Sequence, residues 1–347
     1  MVDKLRRKIL KGTLAGTALL LGHPLISSSI FNEKESFYGM NLTRRMGDGE
    51  IICGFVNEFI DYSEMKNFVI HLTHFQKSRH SNKFSDSING EKVVPDKKYV
   101  ADLIKKLKNK NKAITLTPAV DVAKNKNWGG NKWRGYIEPN NPSIWFNNYE
   151  ELLFDYIKLG NELKINNFCV GLELNKMQKY SGNWENIIKK VRKEFKGKIT
   201  YCANWDSYKD IEFFKYLDYI SISAYFPLRK KTEKSTLEGL INSWKIIGDD
   251  LRNLSNKFNK EIVFGEIGYR SAEDAATQHE ANLNKVDYEE QRLCFKSLDY
   301  AIKNNIIPVK KAYLWVNDTN NLNYFSKTRF EIFNKPAEQD IIKYSRG

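Results

Sequence analysis

Two glutamates in this 347-residue sequence are well placed to do chemistry, because each directly follows a short apolar run of the kind that forms a buried strand. Glu173 ends the run FCVGLE, and Glu266 ends the run IVFGE. Two carboxyl groups that face each other can cleave a glycosidic bond, since one protonates the departing oxygen while the other, ionised, attacks the anomeric carbon. A single glutamate at a strand end could equally form a buried ion pair or cap a loop. The elements that carry the two residues therefore decide whether they form a pair.

Those elements follow a repeating pattern. From about residue 36 onward, short β-branched or aromatic runs alternate with longer amphipathic stretches, which is typical of β/α units around a parallel sheet. No GxGxxG motif follows the first run, which argues against a doubly wound nucleotide-binding sheet. The pattern predicts the α/β class and a single (β/α)8 TIM barrel. Its eight predicted strands are Tyr38–Leu42, Phe68–Thr73, Ala113–Pro118, Asn167–Leu174, Ile199–Asn204, Tyr219–Ala224, Glu261–Glu266 and Lys311–Trp315.

Helices are predicted between these strands, where apolar residues recur at spacings of three and four. They span Lys97–Lys108, Tyr149–Leu163, Trp184–Phe195, Leu237–Phe258 and Tyr288–Asn304.

A barrel of this kind would place both glutamates at its mouth. Reacting groups in (β/α)8 enzymes lie at the carboxyl ends of the strands. Glu173 would end strand four and Glu266 strand seven, and these strands face each other across a barrel of eight. We therefore predict Glu173 and Glu266 as the catalytic pair.

Other strand ends carry groups that suit a sugar. Sugar rings present an apolar C–H face and a rim of hydroxyls, which aromatic platforms beside amide and carboxylate groups can match. Such residues are predicted to bind substrate at the ends of strands five, six and eight: Asn204 and Trp205, Tyr225, and Trp315.

At these residues the sequence resembles glycoside hydrolase family 113, the retaining β-mannanases with catalytic glutamates on barrel strands four and seven. The resemblance implies that Glu173 is the acid/base and Glu266 the nucleophile. It also implies that Tyr225 hydrogen-bonds the nucleophile and that Trp315 forms the floor of the subsite for the attacked sugar. The segments that carry it are WRGYIEP (Trp133–Pro139), VGLELN (Val170–Asn175), Ile199–Leu228 and IVFGEIGYRS (Ile262–Ser271).

The sequence departs from the wider clan at two points. Leu172 precedes Glu173 where an asparagine is common, and Asn175 is the nearest amide. Strand two offers no clear arginine to orient the nucleophile, and HLTHFQ (His71–Gln76) supplies His74 and Gln76 instead. We predict that Asn175, Gln76 and Trp133 complete the substrate-binding set.

Residues 1–29 have the pattern of an export leader. Five basic residues, including the pair Arg6 and Arg7, precede a modestly apolar run, as in a twin-arginine signal. Because this leader also contains Asp3, its removal would lower the formal net charge from +14 to +10. The sequence thus predicts an exported enzyme domain over residues 30–347 that meets the membrane only transiently, through its leader.

The remaining positive charge does not predict a nucleic-acid partner. Runs such as KKLKNKNK lie in helices and loops and are not part of a recognisable DNA- or RNA-binding module. The expected partner is an oligo- or polysaccharide, and the expected state is a monomer.

The four cysteines form no CxxC pair and no histidine-linked spacing, so we predict neither a metal site nor a cofactor. Cys53, Cys169, Cys202 and Cys294 are predicted to be buried free thiols. Cys169 and Cys202 could meet on neighbouring strands, and export would permit their oxidation.

The leading hypothesis is a retaining glycosidase that cleaves a β-1,4-linked, mannan-type polymer. A second is a catalytically silent barrel that binds polysaccharide, and a third is a glycosidase for another β-linked envelope or plant polymer. An aldolase or lyase would need a lysine or a metal cluster at a strand end, and neither Lys310 nor Lys311 ends a strand.

Overall fold

The computed structural model describes residues 37–43, 65–88, 91–123, 133–315, 328–332 and 335–345. The predicted export leader and Cys53 lie outside these residues.

Eight parallel strands close into a barrel in the order β1-β8-β7-β6-β5-β4-β3-β2. Each strand pairs with its neighbour in sequence, and β1 closes the ring by pairing with β8. The predicted TIM barrel is therefore confirmed, with a strand at each of the eight predicted places. The strands are β1 (Tyr38–Leu42), β2 (Asn67–Gln76), β3 (Ala113–Val122), β4 (Asn167–Leu172), β5 (Lys198–Asn204), β6 (Ile220–Ser223), β7 (Ile262–Ile267) and β8 (Val309–Leu314).

Among the described residues an α-helix lies at each of the five predicted places, although the second begins at Pro142 and not at Tyr149. An unpredicted helix follows β8. Side-chain N-caps start three of the helices: Asn141, Thr236 and Asp287 each accept a bond from the backbone N–H three residues on. Within the described ranges, none of the helices is long and apolar enough to cross a bilayer. They are α1 (Lys97–Asn109), α2 (Pro142–Glu162), α3 (Ser181–Glu194), α4 (Leu237–Phe258), α5 (Tyr288–Lys303) and α6 (Pro336–Ser345).

The hydrophobic core lies between the barrel and the helices. Trp145, Trp184 and Trp244 are fully buried on the inner faces of α2, α3 and α4. They form a network of edge-on and stacked aromatic contacts with their neighbours, such as the stacked rings of Trp145 and Tyr149. Burying large aromatic surfaces in this layer stabilises the barrel and holds the strand ends in place.

Two strands extend further than predicted. β2 and β3 pair continuously from Asn67 and Ala113 to Gln76 and Val122. Pro118 does not end β3, because its pairing with β4 is already over at Leu116, and a proline is tolerated where one neighbouring ladder has stopped. The extension brings Asp121 to the mouth of the barrel.

The two strands that carry the glutamates contain the irregularities that matter most. From Cys169 to Leu172, β4 advances by three residues while its partner β5 advances by only two. From Phe264 to Glu266, β7 advances by two residues while its partner β6 advances by one. Such bulges re-aim side chains next to functional sites.

Candidate active site

Glu173 follows the last residue of β4 and has a left-handed backbone. Its φ is +49°, a region that side chains other than glycine rarely adopt. Its backbone N–H donates to the carbonyl of Cys202 at 2.8 Å, which ties the turn to β5. The side chain is 7% exposed. Strained backbone of this kind persists where the surrounding structure holds it, and it is concentrated at functional sites.

Glu266 lies within β7 and is 4% exposed. The hydroxyl of Tyr225, just beyond β6, donates to its Oε2 at 2.9 Å. Gly265 makes room on the same strand, since a Cβ there would lie 2.3 Å from Ser221 Oγ and 2.7 Å from Cys202 Sγ. The bulge thus turns the glutamate into the mouth while its neighbour fits against the barrel interior.

The two carboxyl groups influence each other's charge. Burial and, next, the negative charge of Glu173 raise the pKa of Glu266 to about 8. Arg134 and the Tyr225 hydroxyl act in the opposite direction by stabilising the ionised form. Burial, followed by the charges of Glu266 and Glu173, raises the pKa of Tyr225, so its phenol stays protonated and donates. When Glu173 carries a proton, its charge no longer raises the pKa of Glu266.

Trp133 and Arg134 contact the site from the loop after β3. The Trp133 indole N–H donates to Glu173 Oε2 at 3.1 Å. Arg134 donates to both carboxylate oxygens of Asp121, at 3.1 Å from Nε and 2.9 Å from Nη2. Burial alone would lower the pKa of Arg134, but the charges of Asp121, Glu173 and Glu266 outweigh it and raise that pKa. We predicted that Trp133 contacts substrate, and in the structure it contacts a glutamate of the predicted pair.

A buried amide links four strands below the mouth. Asn41 on β1 is 0% exposed. Its amide donates to the carbonyls of Gly265, Tyr313 and Leu314 at 3.0, 3.1 and 3.3 Å. Since the amide nitrogen is used in this way, Asn41 Oδ1 accepts from His71 Nε2 at 2.7 Å. The carbonyl of Gly265 precedes Glu266, so this bond anchors that glutamate's strand.

His71 connects this network to Trp315. The two rings meet edge to face, with centroids 5.4 Å apart and planes at 88°. Burial and, next, the charge of Arg134 lower the pKa of His71 to about 3, so the imidazole is neutral and its Nε2 carries the proton. Trp315 itself follows β8, and its backbone N–H donates to the carbonyl of Ile267 at 2.8 Å. Trp315, the predicted sugar platform, is therefore held in place by contacts with β2 and β7.

At the end of β5, the predicted amides of Asn204 and Asn175 both donate to the carboxylate of Asp206. Asp206 Oδ1 accepts from Asn204 Nδ2 at 2.7 Å and from Asn175 Nδ2 at 3.1 Å. Trp205 stacks on His279, with centroids 6.0 Å apart and planes at 30°. Among the described residues, Asn175 Oδ1 and Trp205 Nε1 are buried without a hydrogen-bond partner.

Gln76 does not lie in the site, although the sequence analysis placed it there. It is 0% exposed. Its Oε1 accepts from the Trp145 indole at 3.0 Å, and its Nε2 donates to the carbonyl of Ser78 at 2.7 Å. His74 likewise faces α2, where its Nε2 meets the Tyr156 hydroxyl at 2.9 Å. Both have even numbers on β2, whose odd-numbered residues Val69 and His71 face the barrel interior.

Asn41, His71, Asp121 and Arg134 were missed from the sequence. The alternation of β2 could have indicated His71, because it shares a face with Val69 and lies opposite to His74. Asp121 could be recognised as a site residue only from the observed length of β3, which extends beyond Pro118 to Val122. Arg134 lies in a loop, where no periodicity applies.

The barrel interior beneath Glu266 is partly polar. A small cavity of about 20 Å³ is lined in part by Thr115, Thr117, Thr200 and Ser221. That space suffices for about one water. Cys169 and Cys202 line the same cavity, and burial raises the pKa of both thiols, that of Cys169 to about 11. Cys169, Cys202 and Cys294 are buried and unpaired, as predicted. The described residues contain no group of three or more histidine, cysteine or acidic side chains that could hold a metal ion.

A closed (β/α)8 barrel with two buried glutamates at the carboxyl ends of strands four and seven has the architecture of the TIM-barrel glycoside hydrolases. The chain belongs to glycoside hydrolase family 113, whose family model matches residues 56–317. The protein is a glycoside hydrolase.

Solved structures show the same fold. A GH113 β-1,4-mannanase is similar with a TM-score of 0.73 and 20% identity, over 89% of this chain and 98% of that one. The GH113 β-mannanase from Alicyclobacillus acidocaldarius gives 0.72 and 20%, over 88% and 96%. An endo-β-1,4-mannanase from Thermotoga petrophila gives 0.53 and 12%, over 91% and 77%. No curated protein sequence matches the chain significantly.

Proposed function

We propose that this enzyme is a retaining glycosidase that cleaves β-1,4-linked mannan-type polysaccharide, with Glu173 as acid/base and Glu266 as nucleophile. The observation that carries the proposal is the pair of buried carboxyl groups at the barrel mouth, each held by its own donor, Trp133 on Glu173 and Tyr225 on Glu266. The mannan preference rests on family membership and on the mannanases among the similar structures.

In the first step, the ionised Glu266 carboxylate attacks the anomeric carbon and forms a C–O bond to it. The glycosidic C–O bond breaks, its electron pair stays on the leaving oxygen, and that oxygen takes the proton of Glu173. In the second step, Glu173 removes a proton from water, the water oxygen bonds to the anomeric carbon, and Glu266 leaves as a carboxylate. The sugar product keeps the β configuration.

The residues at the mouth support this sequence of steps. Tyr225 and Arg134 stabilise negative charge on Glu266, which the nucleophile needs. Trp315, braced by His71, offers an aromatic face for the sugar. Asn175, Asn204 and Trp205 offer amide and aromatic groups on the β5 side. We propose Trp315, Asn175, Asn204 and Trp205 as the substrate-binding set and leave Gln76 out of it.

The decisive experiment is hydrolysis of β-mannan, β-glucan, xylan and galactan oligomers by the purified protein, with the first-formed anomer identified by NMR. We expect mannan cleavage with retention. An inverted product would contradict the double displacement, and cleavage of only another polymer would contradict the mannan assignment. Binding without cleavage would favour the alternative of a silent polysaccharide-binding barrel.

Variants test the two assigned roles. Glu266→Ala is expected to abolish turnover, and Glu173→Ala to lower it by about 10²- to 10⁴-fold on substrates whose leaving group needs a proton. On a substrate whose leaving group departs without a proton, such as a dinitrophenyl β-mannobioside, azide should rescue Glu173→Ala and yield a β-glycosyl azide, because a small anion can attack the glycosyl-enzyme without a general base. Glu151→Gln, at an exposed position on α2, is the matched control. Near wild-type turnover in either catalytic variant would refute the assignment.

We also propose that residues 1–29 direct export by the twin-arginine route. The supporting observation is the Arg6-Arg7 pair ahead of a modestly apolar run. The double variant Arg6→Lys, Arg7→Lys should keep the protein in the cytoplasm during cell fractionation, and unchanged export would contradict the route.

A further inference from the structure

The segment Trp133-Arg134-Gly135 forms a turn in which each of the three residues has a separate physical role. Arg134 begins a short 3-10 helix, Arg134–Tyr136, and Trp133 is its N-terminal neighbour. The turn lies between Asp121 at the end of β3 and Glu173 at the end of β4. The double displacement requires only a protonated Glu173 and does not explain why this turn should contact it.

The contact between Trp133 and Glu173 is directional. An indole N–H can donate but cannot accept, so Glu173 Oε2 must be the acceptor of the 3.1 Å bond. In a neutral carboxylic acid, the carbonyl oxygen is the better acceptor and the other oxygen carries the proton. An indole that occupies Oε2 therefore favours Oε1 as the oxygen that carries the proton when Glu173 acts as an acid.

Arg134 fixes the place of the turn. Its guanidinium makes two hydrogen bonds to the two oxygens of Asp121, at 3.1 and 2.9 Å. The side chains are only 13% and 27% exposed. A planar fork on a carboxylate restrains orientation as well as distance, which a single charge contact does not. Asp121 belongs to β3, so the pair ties the turn to the barrel.

Gly135 makes space for the indole. A Cβ at this position would lie 2.1 Å from Cζ3 of Trp133 and 2.5 Å from two further ring atoms. Real Cβ atoms do not approach ring carbons so closely, so any larger residue would push the indole away. Tyr136 then packs edge-on against the same ring, with centroids 5.7 Å apart.

We propose that the Asp121–Arg134 pair and Gly135 are positioning elements that hold the Trp133 indole on Oε2 of Glu173, so that Oε1 presents the proton to the leaving oxygen. This inference rests on the proposed function, because it concerns the proton donor of that reaction. Loss of the positioning should therefore impair only those substrates whose leaving group needs a proton.

The test compares kcat/KM of the full-length protein on two substrates. Mannopentaose has an alcohol leaving group that requires protonation, whereas the phenolate of dinitrophenyl β-mannobioside departs without it. We expect Trp133→Phe to lower kcat/KM on mannopentaose about tenfold to a hundredfold and to change the dinitrophenyl value less than about twofold. Arg134→Ala also removes a positive charge that favours the ionised form of Glu266, so it should lower both values, with a further loss of about tenfold on mannopentaose. Arg134→Lys should recover part of the loss, because lysine keeps the charge but not the fork.

Two variants outside the site serve as matched controls. Trp244→Phe removes another indole hydrogen bond, to Ser297, and Arg292→Ala removes another arginine–aspartate pair, with Asp340. Both should leave the ratio of the two kcat/KM values unchanged. An equal loss on both substrates in Trp133→Phe and Arg134→Ala, or no loss on either, would overturn the proposal.

A second measurement separates this inference from the proposed function. If the wild-type protein cleaves neither substrate, the proposed function fails, and a crystal structure of Arg134→Ala still tests the positioning. We expect the indole nitrogen of Trp133 to move beyond about 4 Å from Glu173 Oε2. An indole that stays within hydrogen-bonding distance would refute the role of Arg134.

Discussion

The two glutamates have different hydrogen-bond donors. The Tyr225 hydroxyl donates to Glu266, and the Trp133 indole donates to Glu173. The Tyr225 bond and the nearby Arg134 favour charge on Glu266. Trp133 instead occupies a single acceptor on Glu173. The two glutamates therefore lie in different environments, which is the condition under which a pair of carboxyls can take the separate roles that we propose.

Replacement of Tyr225 by phenylalanine tests this separation at Glu266. The hydrogen bond stabilises the ionised carboxylate, so its loss should raise the pKa of Glu266 further above its ordinary value. We expect the acidic limb of the kcat/KM profile to move to higher pH and turnover to fall about tenfold to a hundredfold. Tyr156→Phe, which loses a hydroxyl bonded to His74 outside the site, is the control. An unmoved acidic limb would contradict the role of Tyr225.

The left-handed backbone of Glu173 leads to a stability prediction. Glycine adopts a φ of +49° without steric cost, whereas alanine does not. Glu173→Gly should therefore be more stable than Glu173→Ala by about 1 kcal/mol, the reverse of the usual order in regular structure. Denaturant unfolding of the two variants provides the comparison. Equal stability, or a more stable alanine variant, would show that the turn relaxes to a negative φ.

At the scale of the elements, the bulges on β4 and β7 decide where the glutamates point. A regular strand alternates its side chains, so Gly265 and Glu266 could not both approach the barrel interior without an irregularity. The amide of Asn41 holds the carbonyl of Gly265 and thereby fixes the bulge on β7. The placement of the two glutamates at this barrel mouth therefore depends on strand irregularities and on the buried amide of Asn41.

Gly265→Ala tests the bulge on β7. The added methyl group would meet Ser221 Oγ and Cys202 Sγ inside the barrel. We expect a loss of about 1–3 kcal/mol in the free energy of unfolding, together with a lower kcat as Glu266 shifts. Gly182→Ala on α3 is the matched control, because a Cβ there meets nothing within 4 Å. Wild-type stability and kcat in Gly265→Ala would mean that β7 adjusts freely.

For the whole molecule, buried neutral histidines link stability to pH. Burial lowers the pKa of His71 to about 3 and that of His74 to about 4, below the ordinary 6.5. Between these values the unfolded chain binds more protons, so the free energy of unfolding falls as pH drops below about 6.5. Glu266 acts with the opposite sign, because its raised pKa makes the unfolding free energy fall as pH rises from 4.5 toward about 8.

His74→Gln isolates one of these contributions. Glutamine can keep a bond to the Tyr156 hydroxyl but does not titrate. The slope of unfolding free energy against pH between about 4 and 6.5 should decrease by up to about 1.4 kcal/mol per pH unit. Urea unfolding of both proteins across this range measures the difference, since all other groups are shared. Parallel slopes would show that His74 is protonated in the folded state.

The eight strands, five helices and both glutamates were predicted because their signals are local. Periodicity within a strand or helix, and an acidic residue at the end of an apolar run, are properties of neighbouring residues. The expectation for Gln76 failed because one step along a strand moves a side chain from the interior to the helix layer. The predicted ends of β2 at Thr73 and of β3 at Pro118 were too early, so neither the side on which Gln76 lies nor the position of Asp121 could be recognised.

Only the tertiary structure decided which groups surround the glutamates. Asn41, His71, Asp121 and Arg134 come from β1, β2, β3 and a loop, and their contacts depend on strand register, on bulges and on the path of that loop. These are long-range properties, since each pairs residues far apart in the chain. The sequence by itself determined the barrel and the two carboxyls, whereas the packing of distant residues determined how each carboxyl is held and charged.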